Sequence, residues 1–200
     1  MKPIKVDLDI HSIPYLNSDD ACYYFLDYKP NSGFEANSLV FNFKKDLLFK
    51  NHPSWYYRNE AIKEFAKMIN NAFLNINKNI FNIIPMPTSK PKNSIEFNNR
   101  LMQTMEELLK LDNSYKIFDC FDVQNNLVPA HYNGYRNPND LKQEILFYPP
   151  NFFDKNIVLI DDVLTTGGHF KACKNILLEK LDPNINIVGL FLAKTEHYYQ

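Results

Sequence analysis

One stretch constrains the fold of this chain more than any other: Asn156-Ile157-Val158-Leu159-Ile160-Asp161-Asp162-Val163-Leu164-Thr165-Thr166-Gly167-Gly168-His169. Ile157 to Ile160 is a short run without a polar residue, the pattern of a strand buried on both faces. Beyond the glycines, Phe170, Cys173, Ile176, Leu177 and Leu181 recur at helical spacing. A buried strand that ends in two carboxylates, turns through Thr-Thr-Gly-Gly and enters a helix is the layout of a phosphate site. Backbone N–H groups of the turn and of the first helical turn point at one spot, where the helix dipole adds partial positive charge. Glycine lets an anion approach the backbone closely. The two carboxylates repel phosphate and are therefore expected to face hydroxyl groups or a metal ion. Taken alone, the run with its acidic end also fits a strand with a solvated tip. A P-loop is excluded, because none of the five glycines opens a G-x-x-x-x-G-K-[ST] segment.

The composition is that of a globular protein. Apolar residues make up 45% and charged residues 22% of 200 residues, enough for one domain with a buried core. The net charge of −1 gives no electrostatic case for a nucleic-acid surface. Cys22, Cys120 and Cys173 are widely spaced and odd in number, which suits a reducing compartment and not a disulfide framework. Nothing near Met1 resembles a signal peptide, and no stretch reaches the roughly 18 apolar residues of a membrane span. A cytoplasmic protein without membrane contact is expected.

In chain order, residues 21–28 are aromatic and β-prone. Leu39, Phe41 and Phe43 alternate with polar neighbours as in a half-buried strand, and Pro30-Asn31-Ser32-Gly33 marks a turn between the two. Residues 59–73 place Ile62, Phe65, Ala66, Ile69 and Phe73 on one helical face. A strand follows over residues 80–87, its prolines at the end where no ladder donor is needed. Thr88-Ser89-Lys90-Pro91-Lys92 then leads to a helix expected over residues 95–111, with Phe97, Leu101, Met105 and Leu108 buried. Read locally, this loop is either an ordinary basic connection or a second phosphate site. Residues 115–123 read as a strand, residues 124–141 as a long loop, and residues 185–193 as a last buried strand ending before Lys194. Strands alternating with helices imply an α/β fold, a mostly parallel twisted sheet with helices on both faces. Residues 1–50 would add a small β-rich hood or edge to a core of residues 51–200, most simply as one compact domain.

The hydrophobic strand, Asp-Asp, two apolar residues and Thr-Thr-Gly of residues 157–167 resemble the signature of the type I phosphoribosyltransferases. Pro-x-Pro at residues 85–87 and Phe97-Asn98 bring the motif order closest to the competence-associated ComF-like branch. Ile95-Glu96 stands where that branch has a basic residue and glycine. The resemblance implies the type I phosphoribosyltransferase fold and binding of phosphoribosyl pyrophosphate (PRPP). Thr165, Thr166, Gly167, Gly168 and His169 would cradle the 5-phosphate. Asp161 and Asp162 would hold the ribose hydroxyls, with at least one acting directly or through water on Mg²⁺. Thr88, Ser89 and Lys90 would face pyrophosphate, and Arg136 would be delivered by closure of the long loop over PRPP. Lys194 falls where purine enzymes contact the acceptor base.

Two departures narrow the reading. Thr165 occupies the position at which one class of purine salvage enzymes has aspartate, and His169 replaces the usual threonine or serine. An imidazole there predicts phosphate binding that varies between about pH 6 and 7.5. The sequence given ends at Gln200, short of the base-binding residues of purine enzymes, so ordinary nucleobase salvage is not expected; Tyr198 or Tyr199 would be the stacking candidates. The resemblance thus implies Mg²⁺-dependent transfer of the phosphoribosyl group to a small-molecule acceptor, with release of pyrophosphate. The alternative is a module that binds PRPP or a nucleotide without turnover, or a ComF-like adaptor in DNA uptake. Homodimers are common in the family.

Overall fold

The computed structural model describes residues 1–29, 38–127, 137–150 and 154–196. Its organising element is the apolar run: successive side chains of a strand point to opposite faces. Ile157 and Leu159 enter one hydrophobic cluster, while Val158 and Ile160 enter the other. Both faces must therefore be covered. Along the chain the elements are β1 (Ile4–Lys5), β2 (Ala21–Tyr28), α1 (Ser38–Phe43), α2 (Trp55–Ala72), β3 (Asn82–Pro85), α3 (Arg100–Leu111), β4 (Phe121–Val123), α4 (Pro138–Glu144), β5 (Ile145–Phe147), β6 (Asn156–Leu164), α5 (Gly168–Lys180) and β7 (Asn186–Thr195).

The central sheet has the order β1-β2-β7-β6-β3. Every pairing in it is parallel except β1 with β2. Phe170, Ala172, Cys173, Ile176 and Leu177 of α5 pack on one face with Leu141 of α4 and the small β4–β5 sheet. The other face is covered by Val40 and Phe43 of α1, the apolar stripe of α2, and Leu101, Met105 and Leu108 of α3. The fold is thus mixed α/β, with a mostly parallel sheet flanked by helices. No helix among the described residues is long and apolar enough to cross a membrane. The three cysteines are free and buried; burial pushes Cys22 and Cys120 up to about 12, so neither is poised as a thiolate.

Several segments differ from the sequence expectation. Residues 38–43 form a helix and not a strand: Val40 and Phe43 are fully buried, whereas Phe41 is about half exposed. The burial follows the i, i+3 spacing of 40 and 43, and the alternation of 39, 41 and 43 is incidental. The third helix begins at Arg100 and not at residue 95. Ser94 Oγ accepts the Glu96 N–H and Phe97 N–H bonds Ser94 O, so local turns compete with a helix there. Of residues 115–123, Ile117 makes a single parallel bridge to Ile83, and only Phe121–Val123 is a strand, paired antiparallel with β5 outside the main sheet. The long loop is closed at its far end by α4. Asn137 accepts the Asn139 N–H as its cap and Pro138 opens it, a start signal present in the sequence. β7 runs on through Lys194 and Thr195.

β2 is a strand of the main sheet, parallel to β7, and the chain leading into it is clamped to α5. Asp20, whose side chain is fully buried, meets Lys171 Nζ at 2.6 Å and Lys174 Nζ at 2.7 Å and accepts the Asn17 N–H. Burial raises its pKa, but these bonds outweigh burial and leave it below the ordinary 3.8. A lowered carboxylate contributes stability that is fully present above its unfolded value and disappears as pH falls through the folded one. Asp20→Asn is therefore expected to cost about 3 kcal/mol at neutral pH. In urea titrations, the gap between variant and parent should shrink as pH falls below about 3.8.

Candidate functional site

The acidic pair lies where the sheet is irregular. The β2–β7 ladder passes from Tyr24↔Phe191 to Leu26↔Ala193, and the β6–β7 ladder from Asp161↔Phe191 to Val163↔Ala193. One row, Phe25, Leu192 and Asp162, is skipped, and Leu26, Val163 and Ala193 face the same side as the residues before them. All three strands keep their register across this row, so no residue is inserted; only the alternation of faces shifts there. Before that shift, alternation sends Asp161 and Asp162 to opposite faces.

Asp161 turns toward α5. Its Oδ1 accepts the Asp162 N–H at 2.7 Å, and its Oδ2 lies 2.8 Å from His169 Nδ1. A carboxylate only accepts, so Nδ1 carries the proton of this bond. His169 Nε2 is buried without a hydrogen-bond partner. His169 is thus anchored in the first turn of α5 by the carboxylate that precedes the turn. Thr165 is exposed, Thr166 half-buried, and Gly167 and Gly168 buried. Gly167 caps α5 in the left-handed region at φ 76°, and Gly168 N–H reaches Thr166 Oγ1 at 3.4 Å. The five residues predicted to hold a 5-phosphate therefore form one turn at a helix N-terminus. One wall of it comes from far away in sequence: Tyr15 N–H bonds Thr166 O at 3.0 Å, and Leu16 packs over Gly167.

Asp162 turns toward the α1–α3 face and is nearly buried. Its Oδ2 accepts from Arg100 Nη2 at 2.6 Å and Nε at 3.1 Å, and Lys44 Nζ stands 3.9 Å away. Burial would raise the Asp162 pKa; the charges of Lys44 and Arg100 more than offset it and hold the group well below the usual carboxylate range. Behind Arg100 lies Arg58, 1% exposed. Its guanidinium donates to Gln103 Oε1 and Asn98 Oδ1 and stacks 4.4 Å from the Trp55 ring, while its Nε has no partner. Burial and the nearby Arg100 charge bring its pKa down to about 10.

Thr88, Ser89 and Lys90 leave the C-terminal end of β3, which pairs with β6 up to Pro85↔Ile160. Thr88 Oγ1 bonds Lys90 O, Ser89 O accepts the Leu127 N–H, and Lys90 Nζ bonds Glu96. These residues, with Lys44, Leu47, Asn98 and Arg100, line an open cleft of about 590 Å³. Thr165 to His169 do not line it; they sit on the α5 side of the acidic strand. Lys194 is also away from the cleft, buried in β7 with its ammonium 3.4 Å from Asp27 and 5.3 Å from the Tyr24 ring centre. Arg136, Tyr198 and Tyr199 lie outside the described residues.

Among the described residues, no group of three or more His, Cys, Asp or Glu side chains is arranged to hold a metal ion. Asp161 and Asp162 diverge, and each is already paired. Carboxylate oxygens are the donor type a hard cation takes, but these two do not converge on one point. Sequence reasoning missed Lys44, Arg58 and Arg100. Arg58 carried a signal, since it falls on the same helical stripe as Ile62, Phe65 and Ile69. A comparison with protein-family models gives no match, and no curated protein matches the chain.

The turn sets a sharp requirement on Gly167. A Cβ there would sit 2.6 Å from Leu16 Cδ2, in a conformation L-residues avoid. Gly167→Ala is expected to lower stability by at least about 1–2 kcal/mol, the cost of the left-handed backbone alone. Denaturant unfolding should show this, with loss of any phosphate affinity at the turn.

Proposed function

We propose that this protein binds PRPP at the C-terminal edge of its parallel sheet and acts as a Mg²⁺-dependent phosphoribosyltransferase of the type I kind. One observation supports the reading above others: the acidic strand β6 with its Gly167 turn, and the Thr88–Ser89–Lys90 loop of the adjacent strand β3, leave the same edge of the sheet. Ligands of open α/β sheets bind outside the carboxyl ends of the strands. In this reading the turn holds the 5-phosphate, the carboxylates hold the ribose hydroxyls, and the β3 loop faces pyrophosphate. Mg²⁺ would neutralise the departing pyrophosphate, with Asp161 or Asp162 reaching it directly or through water. Lys194 is retained as the acceptor-side residue and Arg136 as the residue delivered by loop closure.

A second reading, binding without turnover, is favoured by a specific observation: Asp161 and Asp162 are both engaged internally, by His169 and Arg100. A sensor of PRPP, or an adaptor in DNA uptake, would need no acceptor pocket. Calorimetric titration with PRPP, with and without Mg²⁺, tests both readings. Mg²⁺-dependent binding is expected in the parent and absent from Asp161→Asn/Asp162→Asn. Pyrophosphate release on adding an acceptor then identifies the enzyme, and binding without release identifies the sensor. No PRPP binding by the folded parent would refute the enzyme and the sensor, and DNA binding with a steep salt dependence would then identify the adaptor.

A further inference from the structure

The cations around Asp162 carry an inference beyond this site assignment, although it rests on the PRPP reading. The cleft beside Asp162 is lined by Lys44, Asp46, Lys90, Glu96 and Arg100 among its charged residues. Three of these are already matched locally. Lys90 is bonded to Glu96, and Asp46 accepts the Leu48 N–H as the cap of a short turn. That leaves Lys44 and Arg100, which share the single carboxylate of Asp162. Arg58 lies behind them, almost fully buried, bonded only to the neutral oxygens of Gln103 and Asn98. Asn98 itself lines the cleft. A buried guanidinium without an anionic partner is costly, and it repels the guanidinium of Arg100 in front of it.

Arg100 therefore stands between two acceptors. On one side is Asp162, which under the PRPP reading must be free to meet ribose hydroxyls. On the other is the open cleft, whose wall includes Thr88 and Ser89. Both Arg100 bonds go to Oδ2 alone, so the pairing is not a two-oxygen fork. Retreat is closed, because Arg58 and the ring of Phe43, 6.0 Å from the guanidinium, lie on the core side.

We propose that Arg100, assisted by Lys44, is an exchangeable counter-ion: a pyrophosphate group entering the cleft takes Arg100 from Asp162 and so releases that carboxylate for the ribose hydroxyls. The two halves of the ligand then help each other bind, and a sugar phosphate without the pyrophosphate group meets a latched Asp162. No bond is made or broken; the exchange is one of charge-assisted hydrogen bonds.

Measuring coupling between two separate probes tests this. Ribose 5-phosphate is titrated by calorimetry with and without saturating inorganic pyrophosphate, in the absence of Mg²⁺ so that no cation bridges the two. The parent should bind ribose 5-phosphate at least about fivefold more tightly when pyrophosphate is present. That enhancement should disappear in Arg100→Gln/Asp162→Asn, which removes the latch without leaving a buried lone carboxylate, and should fall in Lys44→Gln. Coupling that is absent from the parent, or that survives in the double variant, overturns the proposal even if PRPP binds. Pyrophosphate that does not bind the folded parent overturns it as well. Arg100-dependent coupling in a protein that fails to bind PRPP would sink the enzyme and sensor readings while the exchange itself stands.

Discussion

The interaction on which the site depends is the burial of a carboxylate pair at the end of a strand that is apolar on both faces. A buried carboxylate must be compensated, and the compensation comes from whatever the sheet brings near each face. Asp161 finds the Asp162 amide and His169 on the α5 side. Asp162 finds Arg100 and Lys44 on the other. The unpaired row shared by β2, β7 and β6 is where the alternation of faces shifts. Burial and alternation together decide that the pair points two ways, Asp161 to α5 and Asp162 to Arg100 of α3 and Lys44.

The Gly167 turn depends on the N-terminal segment as much as on its own glycines. Asp20 ties the approach to β2 onto Lys171 and Lys174 of α5, which brings Tyr15 and Leu16 against Thr166 and Gly167. A side chain at 167 would meet Leu16, so the left-handed turn and the N-terminal wall fit only with glycine there. Gly189 has a related role in the sheet beneath. A Cβ on it would lie 2.7 Å from the Phe191 ring and 3.0 Å from Phe170, the first large apolar residue of α5. Gly189 thus lets Phe170 of α5 sit close to the sheet, whereas Gly167 lets Leu16 sit close to the turn.

The exchange proposed for Arg100 reconciles the proposed PRPP binding with the internal pairing of the carboxylates. Internal pairing spares the site lone buried charges. Lys90 with Glu96 follows the same pattern at the cleft rim, although at an exposed position where the pair contributes little to stability.

The sequence by itself determined the strand–acid–turn–helix unit, the buried last strand, the long second helix and the alternating α/β order. Each of these is a periodicity or a turn signal carried by neighbouring residues. It misread residues 38–43, where a short segment fits both periods and only burial of Val40 and Phe43 decides between them. It also overran the third helix at its start, because the turns at Ser94 are as local as the helix they replace. Only the tertiary structure decided which cations meet Asp162, that Leu16 closes the turn, and that Lys194 lies buried against Asp27 and Tyr24. Arg100 and Asp162 are 62 residues apart. Such pairs are set by how β3, α3 and β6 pack, and nothing in local spacing encodes the distance between them.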